Sequence, residues 1–124
     1  MSKKVLVIDD EPEMLNLIQY TLEKAGFAVS VCNSGRDAFK RIEDEKPDLV
    51  ILDVMLPGID GYSLQLKISQ ADNTKKIPIV VLTALEPSKT LFQKFPQVAG
   101  FMTKPFRTDD LIAKVQSILN APAN

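Results

Sequence analysis

Five short apolar runs, separated by stretches of helical periodicity, constrain the fold of this chain more than any other feature of its sequence. The runs are Val5-Leu6-Val7-Ile8, Phe27 to Cys32, Leu49 to Leu52, Ile79 to Leu82, and a weaker one from Val98 to Thr103. The first, third and fourth are apolar without interruption, as parallel strands covered on both faces are. Phe27-Ala28-Val29-Ser30-Val31 alternates large with small side chains and suits a strand nearer a sheet edge. Between the runs, Met14, Leu15, Ile18, Leu22 and Ala25 form a helical stripe, with Pro12 in its first turn and Gly26 just past its end. Ala38, Phe39 and Ile42 form a shorter stripe, opened by Ser34 with Asp37 three residues on, a capping-box pattern. Asp60 or Gly61 starts a third helix carrying Leu64 and Ile68. Thr108 caps the last helix, with Asp109 and Asp110 in its first turn ahead of Leu111, Ile112, Val115, Ile118 and Leu119. Such alternation implies right-handed crossovers and a parallel sheet with helices on both faces, and five units do not close a barrel. The expected fold is an open, doubly wound α/β sandwich.

At 124 residues the chain is the size of one domain. That domain is expected over residues 1–120, with Ala121-Pro122-Ala123-Asn124 a frayed tail or the start of a linker. The sequence holds no histidine, which excludes Ser-His and Cys-His nucleophile pairs, histidine-ligated zinc and a phosphohistidine on this chain. The lone Cys32 excludes an internal disulfide and a thiolate cluster. Fifteen basic residues against sixteen acidic ones leave no electrostatic footprint for nucleic acid. The apolar run after Lys4 is too short for a signal peptide, and nothing elsewhere approaches a membrane span. A cytoplasmic domain that binds neither nucleic acid nor membrane is the expectation.

In open sheets of this kind ligands bind beyond the carboxyl ends of the strands, where the strand order reverses. The first strand delivers Asp9-Asp10, followed by Glu11 and Glu13, and the third delivers Asp53. The fourth delivers Thr83, and the fifth delivers Lys104 and Pro105. In the flavodoxin-like order 2-1-3-4-5 the first and third strands are neighbours, so Asp9, Asp10 and Asp53 converge, with Thr83 and Lys104 along the same edge. Carboxylates packed together repel by roughly 3 kcal/mol per pair at about 5 Å and an effective dielectric of about 20. Such a cluster raises a pKa or binds a cation, and oxygen ligands at an open site favour Mg²⁺ or Mn²⁺. A carboxylate nucleophile, a divalent metal, a hydroxyl and a lysine together suggest phosphoryl transfer onto an aspartate. Taken singly, each residue has a plainer role: a solvated turn at Asp9-Asp10, a loop cap at Asp53, a strand end at Thr83. Their coincidence at one sheet edge, from four separate units, favours the chemical reading.

Four ordered segments resemble the response-regulator receiver domain, the CheY-like module of two-component signalling. They are Val7-Ile8-Asp9-Asp10-Glu11, Leu52 through Gly61 (with Asp53, Met55, Pro57, Gly58 and Asp60), Leu82-Thr83-Ala84, and Thr103-Lys104-Pro105-Phe106. The resemblance covers essentially the whole chain. It implies that Asp53 takes a phosphoryl group from the phosphohistidine of a sensor histidine kinase or a histidine phosphotransfer protein. It implies a Mg²⁺ ion held by Asp10 and Asp53, with Asp9 acting through water and the Met55 backbone carbonyl as a third protein ligand. It makes Lys104 the partner of a phosphoryl oxygen, places a cis bond before Pro105, and couples Thr83 to inward rotation of Phe101. The implied protein is a switch, not an enzyme on an external substrate, whose output is a changed protein-binding face. A dimer formed on phosphorylation belongs to the same set of expectations.

Several positions depart from the family pattern. Phe101 lacks a hydroxyl, so its inward state depends on packing. Met55 and Leu85 occupy the positions that tune dephosphorylation, and neither can orient an attacking water, which predicts a long-lived phosphoryl group. Between Glu86 and Gln97, Pro87 can begin a helix, but Pro96 limits it to about two turns. Gln97-Val98 replaces the usual Gly-Ala, with Gly100 displaced, and helical spacing assigns two of Leu91, Phe92 and Phe95 to the core. The alternative function is a receiver-like adaptor that signals without phosphate, although the residues such adaptors lose are all present here. A haloacid-dehalogenase-type hydrolase requires Asp-x-Asp where this chain has Met55. A flavodoxin-type flavin carrier requires a phosphate loop where Asp-Asp-Glu-Pro-Glu would repel the phosphate.

Overall fold

A computed structural model of the chain describes residues 3–53, 61–83 (backbone only at Thr83) and 92–119. Its elements are β1 (Lys4–Ile8), α1 (Pro12–Lys24), β2 (Ala28–Cys32), α2 (Gly35–Glu45), β3 (Leu49–Asp53), α3 (Gly61–Gln70), β4 (Ile79–Thr83), β5 (Val98–Thr103) and α4 (Thr108–Leu119). The five strands are all parallel, in the order β2-β1-β3-β4-β5. Strand β2, the one expected nearer an edge, lies at the edge.

The uninterrupted apolar runs divide between the two faces of the sheet, because successive strand residues point to opposite sides. Leu6, Ile8, Val50, Leu52, Ile79 and Val81 face α2 and α3, where they meet Ala38, Ile42, Leu64 and Ile68. Phe92 and Phe95 close that core, and Tyr62 packs on both of their rings. Val5, Val7, Leu49, Ile51, Val80 and Leu82 face α1 and α4, against Leu15, Ile18, Leu22, Leu111 and Val115. Two cores back to back on one sheet fix the strand ends in a common plane, and the site is built there. No helix among the described residues is long and apolar enough to cross a membrane.

The turns follow local chemistry with two corrections. Pro12 opens α1, and the chain leaves that helix through Gly26 at φ 101°, a left-handed conformation that costs glycine little. Ser34 stands at the N-cap of α2 with extended backbone, but its side chain makes no capping bond, so the capping box is not formed. The Cys32 thiol donates instead to the Ser34 carbonyl at 3.2 Å, and Asp37 supplies the negative charge of the first turn. Thr108 is the first residue of α4 rather than its cap; the carbonyl of Arg107 accepts the Leu111 amide and opens the helix one residue earlier.

The β4–β5 pairing is irregular. Ile79 pairs with Val98, but Val80 pairs with Gly100, so Ala99 is an extra residue in β5. A one-residue shift sends every later side chain to the other face. Phe101 therefore packs toward the α2–α3 side and Met102 joins the α1–α4 core. The same shift aligns Thr103 with Thr83, which sets Lys104 just beyond the sheet edge.

Candidate phosphoacceptor site

Asp9 continues β1 by one residue: its amide donates to the Cys32 carbonyl at 3.1 Å. Its carboxylate is fully buried. Oδ1 accepts the Glu11 amide at 3.0 Å and Oδ2 accepts Lys104 Nζ at 3.1 Å. Asp53 ends β3, is 2% exposed, and accepts Lys104 Nζ through Oδ2 at 3.0 Å. The exposed Asp10 completes a trio in which one carboxylate oxygen from each of Asp9, Asp10 and Asp53 lies within 4.8 Å of the others. The convergence expected from strand order is present in the geometry.

Lys104 reaches this trio from the far side of the sheet edge, beyond β5. It is followed by Pro105 across a cis peptide bond. Thr83 ends β4 with its backbone opposite Thr103. Phe101 is half-buried on β5 and borders a groove of about 720 Å³ between β5 and α4. Met55 and Leu85 lie outside the described residues, as does most of the segment from Glu86. Of the three candidates around it, Phe92 and Phe95 are buried in the core, and Leu91 lies outside the described residues.

Burial is the largest influence on Asp9 and pushes its carboxyl up to about 6; repulsion from Asp53 adds to it, while the Glu11 amide and Lys104 act in the opposite direction. Burial pulls the Lys104 ammonium down, but its bonds to Asp53, Asp9 and Glu11 outweigh that, and its pKa stands above the usual lysine range. Lys104 is thus a permanent cation inside a ring of acids. The donor set fits a hard divalent ion: the three side chains brought together all offer carboxylate oxygens, and one of the three is exposed to the side from which an ion would enter.

Two features escaped the sequence reading. Glu11 Oε1 also accepts Lys104 Nζ, at 3.1 Å. The run Asp9-Asp10-Glu11-Pro12 signals it only weakly: the fixed φ of Pro12 starts the helix at once and leaves Glu11 at the cap, beside the site. The second feature is a buried amide pair. Gln97 Nε2 donates to the carbonyls of Thr74 (3.1 Å) and Ile77 (2.7 Å), and its Oε1 accepts Gln65 Nε2 at 3.1 Å. Together they tie α3, the connection to β4 and the entry to β5. The departure from Gly-Ala at Gln97-Val98 was the signal available for it.

The model of the response regulator receiver domain matches residues 5–116. The chain belongs to that family. It is 40% identical over 126 aligned residues to the alkaline phosphatase synthesis transcriptional regulatory protein PhoP of Bacillus subtilis, covering 96% of this chain and 49% of that protein. It is 37% identical to the phosphate regulon transcriptional regulatory protein PhoB of Rhizobium meliloti, over 96% of this chain and 53% of that one. The chain therefore spans about half the length of these curated relatives. Among solved structures, a response regulator of Chloroflexus aurantiacus superposes with a TM-score of 0.89 at 32% identity, covering 97% of this receiver and 99% of that chain. The receiver domain of a Pseudomonas aeruginosa sensor histidine kinase, solved with a magnesium ion coordinated in its active-site cleft, gives 0.86 at 25% identity, covering 98% and 100%. Receiver domains are signalling switches rather than classical enzymes.

Proposed function

We propose that this receiver accepts a phosphoryl group on Asp53 in a Mg²⁺-dependent reaction and signals through the surface that responds to it. One observation carries the reading: Lys104 Nζ joins two buried carboxylates, Asp9 and Asp53, contributed by strand ends far apart in sequence. Two buried carboxylates, with a third exposed one beside them and a single cation between, are a costly arrangement for stability alone. It is well suited to a reaction that brings in a divalent cation and a phosphoryl group.

In this reading an Asp53 oxygen attacks phosphorus in line, the O–P bond forms, and the bond to the donor breaks with its electron pair leaving on the donor. Lys104 neutralises the phosphoryl oxygens, and the Thr83 hydroxyl donates to one of them. Asp10 and Asp53 would hold the metal directly, Asp9 through water, and Met55 through its backbone carbonyl. The bound ion would supply Lewis-acid neutralisation of the phosphoryl charge. Burial of Phe101 follows from the new partner of Thr83, and the groove between β5 and α4 is the surface that changes with it. These residues include no histidine, so the phosphohistidine donor lies outside them, on a histidine kinase or a histidine phosphotransfer protein. PhoP and PhoB are transcriptional regulators about twice the length of the matched region, which supports an output domain or partner protein acting downstream of this one.

Intact-mass analysis after incubation with acetyl phosphate and Mg²⁺ tests the proposal. One phosphoryl on the wild type and none on Asp53→Asn is the expected result. No gain on either protein overturns it and points to the phosphate-independent adaptor.

A further inference from the structure

Lys104 has three ammonium protons and three carboxylate partners: Asp9 at 3.1 Å, Glu11 at 3.1 Å and Asp53 at 3.0 Å. An incoming phosphoryl oxygen can reach the ammonium only when one of these bonds is given up. The three are not equivalent. Asp9 is fully buried and its other oxygen is held by the Glu11 amide, so removing Lys104 would leave a charge unpaired in the interior. Asp53 is the acceptor itself. The Glu11 side chain is 60% exposed and can turn into water at little cost. Its backbone cannot drift, because its amide donates to Asp9 Oδ1, its carbonyl accepts the Leu15 amide at 3.0 Å, and Pro12 follows.

We propose that Glu11 is a brake on phosphorylation: it occupies the third proton of Lys104 and sets a negative charge beside the path of the phosphoryl donor, and both must yield before transfer. The inference rests on Asp53 being the phosphoacceptor. Glu11 acts through Lys104 and through charge, so it is a positioning residue and not a catalytic one. Phosphorylation releases it from Lys104, and the first turn of α1 then loses a contact across the site, which ties the state of Asp53 to the mouth of that helix.

The test compares wild type, Glu11→Gln and Glu11→Ala at saturating Mg²⁺, with phosphorylation followed by intact mass. Both variants should be phosphorylated about three- to tenfold faster by acetyl phosphate, as expected for removing one charge near a dianion in a solvated setting. The gain should be smaller with phosphoramidate, a monoanion near neutral pH, and should shrink as salt is raised. A merely structural role for Glu11 would alter both donors alike. A wild type that is phosphorylated while the variants are no faster, or faster to the same extent with both donors at all salt concentrations, overturns the brake alone. Failure of the wild type to gain a phosphoryl group overturns the phosphoacceptor reading and the brake with it.

Discussion

Replacing Asp9 by asparagine should stabilise the metal-free protein. The carboxyl of Asp9 is fully buried and its pKa is raised to about 6, against about 3.8 for an ordinary aspartate. The folded state therefore binds the Asp9 proton more tightly than the unfolded state. Stability from this group is fully present below pH 4 and is lost as pH rises through 6. At pH 7.5 the ionised carboxylate costs on the order of 3 kcal/mol. Asparagine removes that cost and keeps an oxygen for the Glu11 amide, but it weakens the bond to Lys104, which returns part of the gain. The net expectation is about 1–2 kcal/mol of added stability at pH 7.5 in EDTA. Urea unfolding followed by far-UV circular dichroism is the suitable assay, because the chain has no tryptophan. The ionisation cost falls to about half its value by pH 5 and is mostly gone by pH 4, so the advantage of the variant should shrink in step. Mg²⁺ should stabilise the wild type more than the variant. An Asp9→Asn protein that is no more stable at pH 7.5, or whose advantage is the same at pH 5, would refute the account of a strained acid held ready for a cation.

Other expectations follow from the same geometry. Gln97→Ala removes the side-chain donor from the part-buried Ile77 carbonyl and the acceptor from the buried Gln65 amide, while the Thr74 carbonyl keeps the Ile77 amide; it should cost about 1–3 kcal/mol in urea unfolding with the site left able to bind Mg²⁺, and a loss under about 0.5 kcal/mol would show the amide network to be incidental. Gly26→Ala forces a Cβ at φ 101° and should cost about 1–2 kcal/mol, whereas Gly100→Ala meets only the flexible end of Lys114 at 3.0 Å and should cost less than about 1 kcal/mol; the reverse ranking of thermal midpoints would contradict both arguments. The phosphoryl group on Asp53 should be long-lived because Met55 and Leu85 cannot orient water, and Met55→Asn should accelerate its loss when decay is followed by intact mass.

The parts of this fold that were legible are those fixed by the period of the sequence. Val5 to Ile8 and Leu49 to Leu52 can only be doubly covered strands, and once their order is known Asp9 and Asp53 must meet at their ends. The illegible parts depend on single side chains choosing among neighbours that sequence does not rank. Ser34 is spaced for a capping bond, yet the bond is not made. Glutamine usually sits at the surface, and it is the Gln65 amide together with the carbonyls of Thr74 and Ile77 on the approach to β4 that makes a buried site for Gln97. The extra residue at Ala99 has no periodic signature in a strand of six residues, although it decides which way Phe101 and Met102 face. Glu11 was legible as an acid near the site but not as a partner of Lys104, because that contact depends on the conformation of a side chain 93 residues away.

The charge count at the sheet edge orders the events that the site can support. Asp9, Asp10, Glu11 and Asp53 set four negative charges against the single positive charge of Lys104, leaving three in excess when all are ionised. A phosphoryl dianion approaching that excess is repelled at every distance within a Debye length, about 8 Å at physiological salt. On the proposed reaction a bound dication would reduce the excess to one, and conversion of the Asp53 carboxylate to an acyl phosphate would then raise it only to two. Cation first and phosphoryl second is therefore the electrostatically open order, and the reverse is closed. The same count explains why Lys104 alone cannot serve: its three protons are already committed, and its charge is spent holding Asp9 and Asp53 in the interior. The lysine keeps the acids folded, and their surplus charge keeps the site receptive to a cation.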